Sequence, residues 1–258
     1  MSRHSAFHKS FTLLFIVSVT VAFAGYTSLA SAQHVTDGLE LYIPFDADTC
    51  SNDACDDLAG NHDAVFNFPI KHVPGQVNEA VEFDGINGHF AETNLLVNSN
   101  EFESVTMEAW ANPYMEHEAF GAMIGGDDGG WDRGYGYRKD LWEIQVGKGG
   151  DWQPGPETVF NTWQHTVVIY TPDLVIFYWN GDRYEFDEAD PTESTQPFMI
   201  GDDKPCGPNC AFPGAVDEVR VYGRELTDAE VQQNYQGGTA VESTGKIAVS
   251  WGEIKTLR

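Results

Sequence analysis

The sequence predicts an all-β fold, an antiparallel sandwich of two sheets or jelly roll, with one short helix near the C-terminus. Two observations carry this. Apolar and polar residues alternate with a period of two through most of the chain, and turn-forming dipeptides separate the alternating runs. A helix start signature occurs late, at Thr227 and Glu230. The composition fits a globular domain: of 258 residues, 41% are hydrophobic and 21% charged, which excludes a disordered or collagen-like chain.

Taken in order, strands are expected over Leu39–Phe45, Ala80–Phe83, Val105–Ala111, Gly121–Ile124 and Arg138–Val146. Gln164–Tyr170, Leu174–Trp179, Phe198–Ile200 and Ala215–Tyr222 follow. Asp84-Gly85, Asn87-Gly88, Gly149-Gly150 and Pro172-Asp173 mark turns. Asn180-Gly181, between Ile176–Trp179 and Arg183–Phe186, is a two-residue hairpin signal, because both positions tolerate positive φ. In the late helix Thr227 caps, Glu230 closes the capping box, and Val231 and Tyr235 share a face. From Gly237-Gly238 onward the strand pattern is lost, so 236–258 is expected to be a linker and tail after a domain at 33–235.

Forty acidic residues against 14 basic ones give a net charge of −26. Such a surface repels phosphate, which argues against nucleic-acid and anionic-membrane binding and leaves calcium, cationic partners and neutral glycans open. Residues 1–32 read as a secretory signal peptide: a basic start (Arg3, Lys9), an apolar run from Phe11 to Ala24, then Ala30-Ser31-Ala32. The expectation is therefore a secreted or cell-surface protein; without residues 1–32, 12 basic residues face 40 acidic ones, a charge of −28. Export agrees with the cysteines, which form two close pairs, Cys50/Cys55 and Cys206/Cys210. Four cysteines allow three connectivities. Two local bridges are expected, because turn residues fill both short loops; long-range bridges joining the first strand to the last are the rival. The spacings CxxxxC and CxxxC in an oxidising setting disfavour zinc.

Several segments together resemble the laminin G-like, concanavalin A-like jelly-roll domain of secreted bacterial proteins. Trp163 and His165 open a hairpin that ends at Asn180-Gly181; Ile200-Gly201, Gly214 and Asp217-Glu218-Val219-Arg220-Val221-Tyr222 follow; Leu226, Thr227 and Glu230 close the motif. Leu41-Tyr42 with Pro44-Phe45-Asp46, Gly60-Asn61-His62, Pro74-Gly75, Ala80–Gly85 and Val105–Trp110 match the front half. The similarity runs over about 37–235 and is weakest across 113–160.

Asp46, Asp48, Asp53, Asp56 and Asp57 crowd one segment, a donor set suited to calcium, although the spacing is not that of an EF-hand. The resemblance implies a structural calcium between the first strand's loop and the late Asp-Glu strand. That points to Asp46 and Asp217, with Asp57 and the Gly60-Asn61 backbone in support. The alternative for these acids is an ordinary acidic surface. Two loops mix aromatic, glycine and acidic residues as glycan sites do, and make Trp131, Arg133, Tyr135 and Trp152 the candidate ligand contacts. Trp110, Trp163 and Trp179 lie on or beside patterned strands and read as core, and His165 as a packed, hydrogen-bonded residue. Some glycoside hydrolases of this fold carry Glu-x-Asp-x-x-Glu; the nearest string here, Glu185-Phe186-Asp187-Glu188-Ala189-Asp190, ends in Asp and follows a hairpin. The expected function is non-catalytic binding of a glycan or an extracellular matrix component. The alternative is a surface adhesion or assembly protein that binds other proteins, and a hydrolase comes third.

Overall fold

Two antiparallel sheets pack face to face, as the period-two pattern requires. The computed structural model describes residues 34–126, 128, 133–146, 152–186, 194–202 and 210–238, all within the unit Ser31–Arg258. The signal-peptide segment, Trp131, Asp187–Asp190, Cys206 and the tail beyond 238 lie outside the described residues.

The strands in chain order are β1 (Leu39–Ile43), β2 (Ala54–Cys55), β3 (Ala64–Phe66), β4 (His72–Pro74), β5 (Glu79–Asp84), β6 (Ala91–Glu92), β7 (Val105–Pro113), β8 (His117–Gly126), β9 (Arg133–Lys139), β10 (Leu141–Gln145), β11 (Trp152–Glu157), β12 (Gln164–Tyr170), β13 (Val175–Trp179), β14 (Asp182–Phe186), β15 (Met199–Ile200) and β16 (Pro213–Tyr222). Sheet I has the order β14-β13-β12-β7-β16-β5-β4. In it β5 pairs with the first half of β16 and β1 with the second. Sheet II has the order β11-β10-β9-β8-β15-β6-β3-β2.

Alternation sends Met107, Ala109 and Ala111 of β7 and Val219 and Val221 of β16 between the sheets. There they meet Tyr135, Tyr137, Trp142 and Ile144 of sheet II; the Tyr135 and Phe177 rings lie edge to face at 5.4 Å. The intervening residues of β7, Thr106, Glu108 and Trp110, face away from the sandwich, yet all are buried. The helix over 228–238 covers them: Leu226 and Val231 pack on Val167, Ile169, Ile176 and Tyr178, and Tyr235 stacks on Trp110 at 5.7 Å.

Beneath the helix lies a buried polar network. Glu108 accepts hydrogen bonds from Arg220 Nη1 (3.0 Å) and Asn234 Nδ2 (2.7 Å). His165 Nε2 is 3.4 Å from Glu108 Oε1. Burial opposes ionisation of Glu108, but the His165 imidazole and the Arg220 guanidinium hold its carboxyl below the usual value. Arg220 also pairs with Glu218 and lies over the Tyr42 ring, 4.5 Å from its centroid. Asn234 Oδ1 accepts from Val35 N (2.8 Å), so the same network pins the N-terminal segment. His165 is packed as expected, between Trp110 and Tyr235, but neither ring nitrogen makes a hydrogen bond among the described residues.

The hairpin at Asn180-Gly181 forms as the sequence indicates: Trp179 pairs with Asp182, with φ of 50° and 86° at the two turn residues. The expected single strand Arg138–Val146 is instead two strands. β9 and β10 turn at Lys139-Asp140, where Lys139 takes a φ of 55°. No Gly, Pro or Asn marks that turn, and both arms carry similar alternation, so periodicity alone runs through it. Strands β2, β3, β4, β6 and β11 also escape the pattern, because each is six residues or fewer and some contain Pro. Of the tryptophans read as core, Trp110 is buried under the helix rather than between the sheets, and Trp163 and Trp179 are half-buried.

Cys50 and Cys55 form a disulfide, which excludes long-range bridges from either residue. The second expected bridge, Cys206 to Cys210, is not seen among the described residues, because Cys206 lies outside them. Cys210 itself is buried and disulfide-bonded rather than free, and its carbonyl accepts from Ala122 N (2.8 Å), which ties the start of the β16 segment to β8. The helix extends through Gly237 and Gly238. Its capping box is complete: Glu230 N donates to Thr227 Oγ1 (3.3 Å) and Thr227 N to Glu230 Oε2 (2.8 Å). The Arg224 guanidinium, bonded to Glu230, pulls the carboxyl from its ordinary 4.5 down to about 2. A lowered folded-state value means that this carboxylate's contribution is present above pH 4.5 and lost as pH falls toward 2. Glu230→Gln keeps the capping-box acceptor but loses the charge that pairs with Arg224, so it is expected to destabilise the protein at neutral pH by up to about 1 kcal/mol. That deficit is expected to close between pH 4.5 and 2 in urea titrations; a deficit independent of pH would assign it to packing.

Candidate functional site

β1 ends at Ile43, and the chain turns through Phe45 (φ 63°) to bring Asp46 toward β16. Asp46 Oδ1 accepts from Glu79 N (3.0 Å), and Asp46 Oδ2 from Asn78 Nδ2 (3.2 Å). β16 carries a bulge after Asp217, where Glu218 adopts a φ of 56°. Asp217 is fully buried: its Oδ2 accepts from Val77 N (2.9 Å), while its Oδ1 has no hydrogen-bond partner among the described residues. Burial, with the nearby charges of Glu218 and Asp46, pushes the Asp217 carboxyl well above its ordinary range. Of the two carboxylates only Asp217 has an oxygen without a partner, and an orphaned buried carboxylate oxygen is the kind of donor that a hard cation relieves. Among the described residues, no group of three or more His, Cys, Asp or Glu is positioned to hold a metal, so further donors would have to be backbone or amide carbonyls and water.

Asp57 does different work. Its Oδ1 accepts from Tyr42 N (2.9 Å) and Ala59 N (2.9 Å), and its Oδ2 from Gly60 N (3.0 Å) and His62 N (3.1 Å). Four amides occupy the carboxylate, which corrects its expected place as a metal ligand: it folds the 57–62 loop instead. The expected Gly60-Asn61 support is likewise part of this loop, since Gly60 donates to Asp57.

The loop shapes a groove of about 530 Å³ on the outer face of sheet II, lined by Asn61, Asp63, Val65, Phe66, Asn67, Phe90, Glu92, Thr93 and Asn94. The register explains which side chains reach it. Ile200, Ala91 and Phe66 form one cross-strand row that enters the core; the next row, Met199, Glu92 and Val65, faces outward. Val65 is 53% exposed between buried Ala64 and Phe66. Asn67 is spent on the frame, donating to Gly88 O (2.6 Å) and accepting from Phe90 N (3.0 Å). Asp63 Oδ1 accepts from Asp57 N (2.9 Å), so Asp57 also positions a wall of the groove. Asn94 pairs with His62 through its Oδ1. Amide and carboxylate groups thus surround an apolar floor of Val65 and Phe90. Of these residues the sequence reading singled out only Asn61; an exposed Val between buried neighbours was the available signal, but a three-residue strand is too short to show it.

The aromatic candidates divide. Arg133 is buried and donates from Nη1 to the carbonyls of Val97 (3.0 Å) and Phe102 (2.9 Å); burial lowers its pKa to about 10. Tyr135 points between the sheets, its hydroxyl 2.9 Å from Thr166 Oγ1. Neither can contact a ligand, which corrects both assignments: they stand two residues apart at the start of β9, so alternation turns both inward, Tyr135 into the core and Arg133 over the Tyr170 ring as a loop anchor. Trp152 is half-buried at the edge of sheet II, its ring centroid 3.8 Å from that of Phe120. Glycine at 136 on β9 leaves room beside it: a Cβ there would strike Gly121 O at 2.1 Å and stand 2.9 Å from Phe120 Cζ. In the acidic string that resembles a hydrolase motif, Glu185 lies on the edge strand β14, exposed and paired with Arg183.

Comparison with known proteins agrees with this architecture. Among curated proteins none matches the sequence significantly. Trypanosoma rangeli sialidase in complex with sialic acid superposes with a TM-score of 0.65 at 16% identity, over 80% of this chain and 34% of the sialidase. The chain therefore spans about a third of that enzyme's length. Domain 4 of AbnA, a GH43 extracellular arabinanase from Geobacillus stearothermophilus, solved with arabinotriose, gives 0.61 at 17% identity, over 76% of this chain and 98% of that domain. The binding domain of Paraclostridial Mosquitocidal Protein 1 gives 0.61 at 16% identity, over 78% and 52%. Likeness at these identities establishes the shared fold. The family model of the concanavalin A-like lectin/glucanases superfamily, Laminin_G_3, matches residues 84–232, more than half of the sequence, and the chain belongs to that family.

Proposed function

We propose that this chain is an exported, non-catalytic carbohydrate-binding module, stabilised by a calcium ion at Asp46 and Asp217. The observation that carries the reading is the groove over Val65 and Phe90. Its volume lies within the range of small-ligand sites, and it joins an apolar floor, suited to the C–H face of a sugar ring, to amide and carboxylate groups that meet hydroxyls. The arabinotriose-bound domain of AbnA, which matches over nearly its whole length, supports the same direction. The basic and apolar start of the sequence supports export.

The test is calorimetric titration of the purified protein against a panel of soluble oligosaccharides and polysaccharides, in calcium and in chelator. Binding without product release is expected. The double variant Asn61→Ala/Asn94→Ala is expected to weaken it by about ten- to a hundredfold, the loss of two hydrogen bonds. Cleaved product would make the chain an enzyme. Absence of binding across the panel would favour protein-mediated adhesion.

A further inference from the structure

A disulfide stands behind one wall of the groove. Cys50 and Cys55, five residues apart in sequence, close a tight hairpin in which Asp56 N donates to Thr49 O (2.8 Å) and Ser51 N to Ala54 O (2.7 Å). Its tip, Ser51 to Asp53, is exposed and polar, while Cys55 is buried in the core, so the bridge fastens the hairpin to the sandwich. The second arm of the hairpin is β2, two residues long and the last strand of sheet II. Ala54 pairs there with Val65 of the groove floor, and Cys55 with Ala64. Phe66 N donates to Asp53 O (2.7 Å), inside the bridged loop. Two residues past Cys55, Asp57 gathers the amides of the loop that carries Asn61, and its own N donates to Asp63.

Resting on the reading of this groove as a glycan site, we propose that the Cys50–Cys55 disulfide is a positioning element of the groove, and that reducing it weakens binding while the sandwich stays folded. So short a loop removes little entropy from the unfolded chain, and the bridge acts chiefly on local shape. Two residues of pairing at a sheet edge are a weak hold by themselves. With the bridge intact, Val65, Asn61 and Asp63 are ordered before a ligand arrives; with it open, binding must order them. In the reduction, the two thiols of a dithiol give up two electrons and two protons, close their own S–S bond and leave Cys50 and Cys55 as thiols.

The experiment titrates cellotriose, xylotriose and mannotriose into the wild-type protein and into the variant Cys50→Ala/Cys55→Ala, each with and without dithiothreitol. Alkylation with peptide mapping identifies which bridge has opened, melting curves check the fold, and hydrogen exchange follows the amides. The expected result is about tenfold weaker binding in the variant and in the reduced wild type, with no further loss on treating the variant with reductant. Exchange is expected to quicken at Phe66 N and Leu58 N, whose acceptors are Asp53 O and Tyr42 O, while the amides of β12 stay protected. If the variant does not fold, the reduced wild type decides. Unchanged affinity with the bridge open would overturn the inference and leave the glycan reading standing. A loss that reductant still produces in the variant would overturn it too, because another bridge would be responsible. Exchange quickened across both sheets would do the same, since the disulfide would then hold the whole domain. Failure of these sugars and of the wider panel to bind the wild type would remove the glycan reading, and this inference with it.

Discussion

Replacing Glu108 by alanine is expected to destabilise the protein by about 3–5 kcal/mol, the cost of breaking a buried ion pair. Glu108 is fully buried and bonded to Arg220 and Asn234. Without it, Arg220 keeps Glu218 for its charge but loses half of its carboxylate pairing, and the helix loses one of the two side-chain bonds from Asn234 to the sheet, keeping that to the Tyr222 hydroxyl. For a domain of this size the melting temperature is expected to fall by about 10 °C. The companion variant Glu108→Leu/Arg220→Met/Glu218→Gln removes all three charges of the network and keeps the volume, so it is expected to recover most of the loss. Urea unfolding of the two proteins measures both. A Glu108→Ala cost below about 1 kcal/mol would show that apolar packing of Leu226 and Val231 holds the helix without the network.

The second large effect concerns Asp217. Millimolar calcium is expected to raise the stability of the wild-type protein, by about 2.7 kcal/mol once calcium reaches a hundred times its dissociation constant. Asp217→Asn is expected to abolish that response. In chelator the same variant is expected to be as stable as the wild type or more so, because it removes a buried carboxylate whose Oδ1 has no partner among the described residues, while its amide oxygen still accepts from Val77 N. Melting curves of both proteins in calcium and chelator give four numbers. Identical wild-type curves in the two media, with a destabilised variant, would make Asp217 a plain structural hydrogen-bond acceptor.

Much of the architecture was legible in the sequence, for local reasons. Asn180-Gly181 and the Thr227–Glu230 box are each specified by a few adjacent residues whose backbone preferences allow one structure, and both form. The long strands were legible because apolar residues recur at every second position in β7 and in the second half of β16, and form the continuous run Val167–Tyr170 in β12. β9 and β10 were not separated, because their turn at Lys139-Asp140 takes its conformation from strand pairing rather than from its own residues. The same limit governed the candidate site. Asp46 and Asp217 come together as candidates only through the family resemblance, which links motifs distant in the chain. Arg133 and Tyr135 were misplaced, because a mixture of aromatic and charged residues looks alike in a ligand loop and at the start of a buried strand.

The sequence by itself determined the sheet-forming runs, the hairpin, the helix cap and the acidity that sets the character of the surface. These depend on periodicity and on short-range backbone preference. The tertiary structure alone decided that Glu108, Arg220 and Asn234 meet beneath a helix, that Asp57 folds a loop instead of facing a cation, and that Val65, Phe90 and Glu92 share a groove. Those outcomes depend on strand register, which sends each residue inward or outward and which no single short segment specifies.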